Sequence, residues 1–293
     1  VKSTNYNPDE LDKLLDDVSR IVKTSKLDKP GKWIPPMKNI ERWWEENTLL
    51  TLSNLRSLIS SNWGEPCGTA AYNLIWVAFA RLCIESSAAD FCHISVSFKE
   101  TTSSYHEDAV KTMFLDFLSW IVESAKMPLQ GQSLVIEGDA RTLEQAGKYD
   151  MVITSPPYPN RISYIRELRP YMYWLRFLST GAEAGELDWK AIGGTWGCAT
   201  SKLNGWKHTG LPLPDELRNV CSKIYASNEK NGKTMALYVY KFFDDLYLHF
   251  LNLRKHLNPG AKIHYILGNS SFYGNCVSTE TYTEEMLHSL GYG

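Results

Sequence analysis

Residues 150 to 158 read DMVITSPPY, a short apolar run that leads directly into a serine, two prolines and a tyrosine. A run of this kind without polar alternation predicts a buried parallel strand, because both faces of such a strand are covered. The two prolines fix φ and restrict the residue before them, so we expect a rigid extended turn where the strand ends. LVIEGDA at 134 to 140 and AKIHYILGNSS at 261 to 271 predict two further buried strands.

Helical patterns occupy most of the remaining chain. Apolar residues recur at helical spacing in four segments, which run from Glu41 to Asn62, from about Ala70 to Ser86, from about Asp108 to Lys126 and from Lys233 to Leu257. The residues expected to end the last helix are Asn258, Pro259 and Gly260. Strands and helices in this order predict an α/β layered sheet, with function at the carboxyl ends of the strands.

These patterns divide the sequence into four parts. We expect a helical region packed on the catalytic core at 1–128, catalytic core strands at 129–178, a possible target-recognition insertion at 179–232 and the remainder of the core at 233–293. The stretch from Trp196 to Lys233 combines six basic and three acidic residues with aromatic side chains, glycines and prolines. Structural decoration is an equal alternative for this insertion.

Composition describes a globular chain. With 293 residues, 43% of them hydrophobic, the chain is long enough to bury a substantial core. The net charge of -2 gives no overall attraction to a polyanion, so nucleic-acid contacts would need local basic patches. The six cysteines are scattered singly and predict neither a metal site nor redox chemistry. No apolar run approaches the roughly 20 residues of a membrane span, so we expect a cytoplasmic protein without membrane contact.

The TSPPY turn carries the residues with the clearest chemical role. An exocyclic amine of a nucleobase is a poor nucleophile because its lone pair is delocalised into the ring, and two preorganised hydrogen-bond acceptors would free that lone pair. We assign the Ser155 hydroxyl and the Pro156 carbonyl as these acceptors. Pro157 belongs to the rigid turn, and Tyr158 is the ring that stacks on a flipped base. An ordinary strand-end turn is the alternative.

This region resembles the S-adenosylmethionine-dependent N4-cytosine/N6-adenine DNA methyltransferases. They carry (S/D/N)-P-P-Y at the end of their fourth strand, and the TSPPY form is most typical of the cytosine-N4 enzymes. The resemblance extends to LVIEGDAR at 134–141, YPNRISYIRELRPYMYWLRFL at 158–178 and NPGAKIHYILGNSSFYG at 258–274. It implies a Rossmann-like class I methyltransferase sheet, the cofactor S-adenosyl-L-methionine and double-stranded DNA as the partner.

The resemblance also assigns binding residues. The candidates for the cofactor side are Asp139, Ala140 and Thr154, with a solvated turn carboxylate as the alternative for Asp139. The candidates for the base pocket or for phosphate contacts are Asn160, Arg161, Tyr164, Arg166 and Arg169. Between 161 and 176 the sequence has four arginines and one acid, a local positive excess that is typical of phosphate contacts. A solvated helix face is the alternative interpretation of these charges.

One feature of the family is missing. Its members hold the methionine end of the cofactor with a Phe-x-Gly-x-Gly loop after their first strand, whereas Gly-x-Gly does not occur here before Gly291. We expect the first strand and its loop to come from an upstream segment or a second chain. The chain would then be a fragment, a nicked product or one subunit of a split enzyme, and by itself it would not methylate at a useful rate.

The sequence therefore favours a DNA (cytosine-N4)-methyltransferase of the kind found in restriction-modification systems. An adenine-N6 DNA or RNA amino-methyltransferase is one alternative. A DNA-binding subunit that is inactive without a partner carrying the glycine loop is another.

Overall fold

A computed structural model describes residues 4–28, 33–90, 96–100, 103–144, 147–160, 162–194, 198–227 and 229–293. The fold is α/β, about 55% helical, with small sheets of few strands. The chain divides into two compact units, the first formed by Val1–Val135 and Glu167–Gly181 and the second by Ile136–Arg166 and Ala182–Gly293. The four-part division expected from the sequence stays a prediction.

The first unit is mainly helical. Its helices are α1 (Pro8–Thr24), α2 (Glu46–Trp63), α3 (Ala70–Glu85) and α4 (Glu107–Lys126), with a short 3-10 turn at Ile40–Arg42. A two-stranded antiparallel sheet pairs β1 (Ala89–Asp90) with β2 (Ser97–Phe98). The structure confirms the three helices predicted here from apolar spacing, which correspond to α2, α3 and α4. The Glu45 side chain caps α2 by accepting hydrogen bonds from the backbone of Asn47 and Thr48.

The core of the first unit is built around buried tryptophans. Trp174 makes edge-on contacts with Trp44 and Phe79, with ring centroids 5.6 and 5.7 Å apart. Arg56 is almost fully buried, donates a 2.8 Å hydrogen bond to the Trp174 carbonyl and forms a 2.5 Å ion pair with Glu65. Burial of a charge is costly without partners, so these contacts explain how the core accommodates a guanidinium group.

The second unit alternates helices and strands. Its elements are β3 (Tyr149–Thr154), the start of α5 (Tyr164–Trp174), α6 (Gly181–Lys190), α7 (Cys198–Gly205), α8 (Asp215–Tyr225), α9 (Gly232–Leu253), a 3-10 turn at Arg254–His256, β4 (Leu257–Tyr265), β5 (Ser270–Phe272), β6 (Asn275–Val277) and α10 (Thr279–Ser289). The helix α5 begins in this unit and continues into the first. β5 and β6 form a short antiparallel sheet. The core packs mostly around α9, whose side chains are buried on nearly all sides.

The long helix and two of the three predicted strands are confirmed. β3 and β4 pair in parallel, with Met151 beside Lys262 and Thr154 beside Tyr265, so TSPPY begins where the ladder ends. The prediction that 258–260 would break the helix was wrong in detail. α9 ends at Leu253, a 3-10 turn follows, and these three residues belong to β4, where Gly260 adopts a positive φ of 80°.

The predicted strand at 134–140 was wrong. These residues form no ladder, and Leu134 and Val135 are 82% and 79% exposed. The expected burial of β3 and β4 was also wrong, because Met151 is 54% and Ile153 is 69% exposed and no residue of β4 is buried. A parallel strand becomes buried only when neighbouring strands and covering layers surround it. In the described chain β3 has a single strand partner, β4.

The exposure of Ile153 makes a direct test of the sheet possible. We expect Ile153→Ala to lower the free energy of unfolding by less than about 1 kcal/mol, because the side chain is largely in water already. The matched change Leu246→Ala in the α9 core should cost about 2–5 kcal/mol. Urea unfolding followed by circular dichroism measures both, and a loss above about 2 kcal/mol for Ile153→Ala would show that something covers this strand.

Candidate functional site

The TSPPY turn follows the end of β3, and two of its oxygen atoms are available for hydrogen bonding. The last rung of the ladder is a 3.0 Å hydrogen bond from the Ile266 amide to the Thr154 carbonyl. Ser155 directly follows this rung and is exposed, Pro156 and Pro157 are half-buried, and Pro159 is buried. Among the residues described, neither the Ser155 hydroxyl nor the Pro156 carbonyl has a hydrogen-bond partner. Both oxygens are therefore free to accept hydrogen bonds from a ligand.

Tyr158 interacts with residues of three other segments, namely α9, the stretch after β4 and the start of α5. The buried Tyr238 of α9 donates a 3.4 Å hydrogen bond to the Tyr158 carbonyl. The ring of Tyr158 packs against Gly268, since a Cβ at that glycine would lie 3.6 Å from the nearest ring atom. Burial raises the pKa of Tyr164, and the neighbouring Tyr158 phenol raises it further. The structure thus brings Tyr158 and Tyr164, two of the predicted site residues, close together.

A cleft of about 510 Å³ lies on the sheet beside the turn. Its volume is within the range of about 300–1,000 Å³ that is usual for small-ligand sites. The three residues predicted for the cofactor side, Asp139, Ala140 and Thr154, all line it. The rest of the lining is mainly apolar and is formed by Ile136, Gly138, Leu143, Glu144, Tyr149, Met151, Val152, Ile153, His249, Leu253 and Tyr265.

Asp139 organises the turn at the edge of this cleft. Its carboxylate accepts hydrogen bonds from the Arg141 amide at 2.9 Å and from the Arg141 guanidinium at 2.6 Å. Hydrogen bonding from Arg141 is the main cause that lowers the pKa of Asp139. Arg141 also contacts the buried carboxylate of Asp245 at 3.3 Å, and Asp245 is paired with the buried Lys241. The Asp139 carboxylate is therefore an anion held in place by a charged network.

Two further side chains of α9 hold the same turn. The His249 ring must donate through Nδ1 to the Ala140 carbonyl, 2.7 Å away, because a carbonyl can only accept. Its Nε2, 2.5 Å from the Tyr265 hydroxyl, then accepts from that hydroxyl. Asn252 donates a 2.7 Å hydrogen bond to the Arg141 carbonyl. The backbone of the Asp139 turn is thus fastened to α9 and, through Tyr265, to β4.

Asp245, His249 and Asn252 were not among the site residues predicted from the sequence. The signal that could have found them is the placement of Asp245, His249 and Asn252 at helical spacing within a helix that is otherwise strongly apolar. Polar side chains on the core side of a helix need partners, and such a row predicts that another polar segment packs there. The sequence thus pointed to Asp139 and Ala140 but not to the residues of α9 that contact their turn.

The residues predicted to bind nucleic acid are placed as follows. Asn160 is exposed, and its side-chain oxygen accepts a 3.3 Å hydrogen bond from the Ile162 amide. Arg161 lies outside the described residues. Tyr164 is exposed at the start of α5, and Arg166 is half-buried in the same helix within the second unit. Arg169 is half-buried in the part of α5 that belongs to the first unit.

Arg176, the fourth arginine of the local positive excess, has partners within the first unit. Its guanidinium lies 3.4 Å from a Glu65 carboxylate oxygen and 4.7 Å from the centroid of the Trp33 ring. Both contacts favour a structural role over a phosphate contact for this residue. The nucleic-acid hypothesis therefore depends on the arginines nearer the TSPPY turn.

The segment predicted as a recognition insertion is folded where it is described. Leu203, Leu213 and Leu217 from this segment are buried in the core of the second unit. Thr209 donates a 2.8 Å hydrogen bond to Asp244 of α9, and His208 lies 3.2 Å from the same carboxylate. Burial raises the pKa of Asp244, while the contacts with Thr209 and His208 act in the opposite direction. Trp196 lies outside the described residues.

Comparisons with known proteins give no relative for this chain. No protein-family model, curated protein or solved structure matches it. Within the described ranges, no group of three or more His, Cys, Asp or Glu side chains is arranged to hold a metal ion. The same ranges contain no helix with the length and apolar character needed to cross a membrane.

The contacts of His249 predict a pH dependence. Burial lowers the pKa of His249, so the unfolded chain binds a proton at this residue at a higher pH than the folded chain does. The free energy of unfolding should therefore fall as the pH drops below about 6.5, the ordinary histidine value, and level off below the folded pKa. Urea unfolding at several pH values between about 5 and 8 measures this slope.

Two glutamine variants separate His249 from the other histidines. We expect His249→Gln to flatten the slope, because this residue then no longer titrates. His288→Gln should leave the slope unchanged, since His288 is exposed on α10 and interacts only weakly with Glu284, 3.8 Å away. An unaltered slope in His249→Gln would contradict the assigned tautomer and contacts.

Proposed function

We propose that this chain transfers a methyl group from S-adenosylmethionine to the exocyclic amine of a flipped base in double-stranded DNA, with cytosine N4 as the target. The observation that carries the proposal is the pair of available oxygens on Ser155 and Pro156, at the carboxyl end of β3 and beside the cleft that Thr154 and Asp139 line. The resemblance of the TSPPY region to the amino-methyltransferases agrees with this placement.

The site residues would activate the amine without forming a covalent bond to it. The Ser155 hydroxyl and the Pro156 carbonyl would accept hydrogen bonds from the two N–H groups of the target amine. This arrangement favours a pyramidal nitrogen with a localised lone pair. Tyr158 would stack on the ring of the extruded base and hold it against the turn. Two acceptors and one aromatic ring are sufficient for these roles, so no nucleophilic side chain is needed.

The cleft has properties that suit the proposed cofactor. S-adenosylmethionine, when bound, supplies an electrophilic methyl group on a sulfonium. Met151, Ile153 and Leu253 offer apolar surface for a planar base, and the anionic Asp139 lies at the edge. The Asp139 carboxylate already accepts hydrogen bonds from the backbone and side chain of Arg141. We therefore propose that Asp139 acts mainly by shaping the turn, and that the backbone of this turn contacts the cofactor.

We also propose that an upstream segment or a second polypeptide completes the cofactor site with a glycine-lined turn. The support for this step is the edge of β3 that has no partner strand among the described residues, together with the exposed Met151 and Ile153 of that strand. An open apolar strand edge is suited to pairing with another strand. The glycine-lined turn after such a strand would let the backbone come close to the methionine end of the cofactor.

Nucleoside mass spectrometry tests the proposed reaction. Because the affinity of the chain alone for its cofactor is expected to be weak, the protein is incubated in excess over duplex DNA with millimolar S-adenosylmethionine. We expect N4-methylcytosine, and we expect Ser155→Ala to lower its yield by about 100- to 1,000-fold through loss of one acceptor. The control Ser222→Ala changes an exposed serine of α8 and should have no such effect.

The other outcomes of this experiment discriminate between the alternatives. Detection of N6-methyladenine alone would show that adenine, and not cytosine, is the target base. Methylation of RNA but not DNA would make RNA the substrate. No methylated nucleoside even at millimolar cofactor would count against activity of this chain by itself and favour a binding subunit that is inactive without a partner.

The stacking role of Tyr158 gives a separate prediction. Tyr158→Ala should slow methyl transfer by roughly 5- to 150-fold, because stacking of a base on an aromatic side chain is worth about 1–3 kcal/mol. Tyr158→Phe should be milder, and Tyr72→Ala, an exposed tyrosine of α3, should have no effect. Cofactor binding, measured by calorimetry, should change little in all three variants. An equal loss of cofactor binding and turnover in Tyr158→Ala would place this residue in the cofactor site instead.

A further inference from the structure

The position of the Tyr158 ring is limited by Gly268, which lies three residues beyond the end of β4. A Cβ at Gly268 would lie between 3.6 and 3.8 Å from three carbon atoms of that ring. A methyl group at this position would therefore make ordinary contact with the ring. A branched side chain adds γ carbons beyond this contact, so we expect it to displace the ring.

The backbone of Tyr158 is held by Tyr238. This side chain is buried in α9, its hydroxyl donates to the Tyr158 carbonyl, and its ring meets Phe272 edge-on with centroids 5.9 Å apart. Gly193, with a positive φ of 75°, approaches the same hydroxyl so closely that a Cβ there would lie 3.6 Å from it. A tyrosine packed in this way has little rotational freedom.

The parallel ladder brings these contacts to one place. Thr154 and Ile266 form its last rung, and the two chains leave the sheet at the same end. Tyr158 lies four residues beyond Thr154, and Gly268 lies two residues beyond Ile266. The ring and the backbone that limits it are therefore positioned by the same hydrogen-bonded pair of strands.

We propose that Tyr238 and Gly268 are positioning residues, which fix the backbone and the ring of Tyr158 before a flipped base arrives. The inference rests on the proposed function, in which this ring stacks on the target base. A ring that is ordered in advance does not have to be ordered when the base binds. The effect is thus expected on capture and methylation of the base, and not on binding of the cofactor.

Removal of one hydroxyl tests the first contact. In Tyr238→Phe we expect the single-turnover rate of methyl transfer to fall by about tenfold, with cofactor affinity unchanged within about twofold. The control is Tyr247→Phe, which removes the hydroxyl of another buried tyrosine on α9 that has no hydrogen-bond partner among the described residues. This control should match the wild type in rate. Equal rates for the two variants would overturn the role of Tyr238.

A pair of substitutions at Gly268 tests the second contact. Gly268→Ala should retain the wild-type rate, because the added methyl group only touches the ring. Gly268→Val should lower the rate strongly while leaving the thermal midpoint of unfolding within a few degrees of that of the alanine variant. Equal rates for the alanine and valine variants would overturn the role of Gly268.

A spectroscopic readout keeps this inference separate from the proposed activity. In protein labelled with 3-fluorotyrosine, the fluorine resonance of Tyr158 is assigned by its absence in Tyr158→Phe. We expect this resonance to shift in Tyr238→Phe and in Gly268→Val, and to keep its wild-type position in Tyr247→Phe. An unshifted Tyr158 resonance in both test variants would refute the positioning contacts. Shifts in a protein that methylates nothing would support the contacts independently of the proposed function.

Discussion

The parallel pairing of β3 and β4 is the interaction on which the candidate site depends. Parallel strands end at the same edge of a sheet, so the segments that follow them are brought together there. Here these segments are the TSPPY turn and the GNSS stretch from 268 to 271, and the Ile266 amide closes the ladder on the Thr154 carbonyl. Without this rung neither the orientation of Tyr158 nor its contact with Gly268 would be defined.

The helix α9 supplies the second constraint. It buries apolar side chains on most of its surface and at the same time presents Tyr238, Asp245, His249 and Asn252 to the two turns of the site. Buried polar groups that lack partners are costly, so each of these contacts favours one arrangement of the turns over the alternatives. The same helix therefore positions the base-side turn and the cofactor-side turn.

The parts of the structure that follow from local sequence could be predicted. Apolar spacing located α2, α3, α4 and α9, and the apolar run before Ser155 located β3 together with its terminal turn. The prediction at 134–140 failed because strand formation depends on neighbours, and an apolar run alone does not specify them. The contact of His249 with the Ala140 carbonyl could not be predicted either, since it joins residues that are 109 positions apart in the chain.

Photochemical labelling of the cofactor site tests the central claim most directly. A photoreactive azidoadenosine analogue of S-adenosylmethionine is irradiated with the full chain, and the labelled peptides are identified by mass spectrometry. The adenosine is expected to label residues 136–144 or 149–154, which line the cleft beside the TSPPY turn, and excess S-adenosylhomocysteine should suppress the labelling. Suppressible labelling confined to the first unit, or labelling that excess S-adenosylhomocysteine does not reduce, would contradict a cofactor site in this cleft.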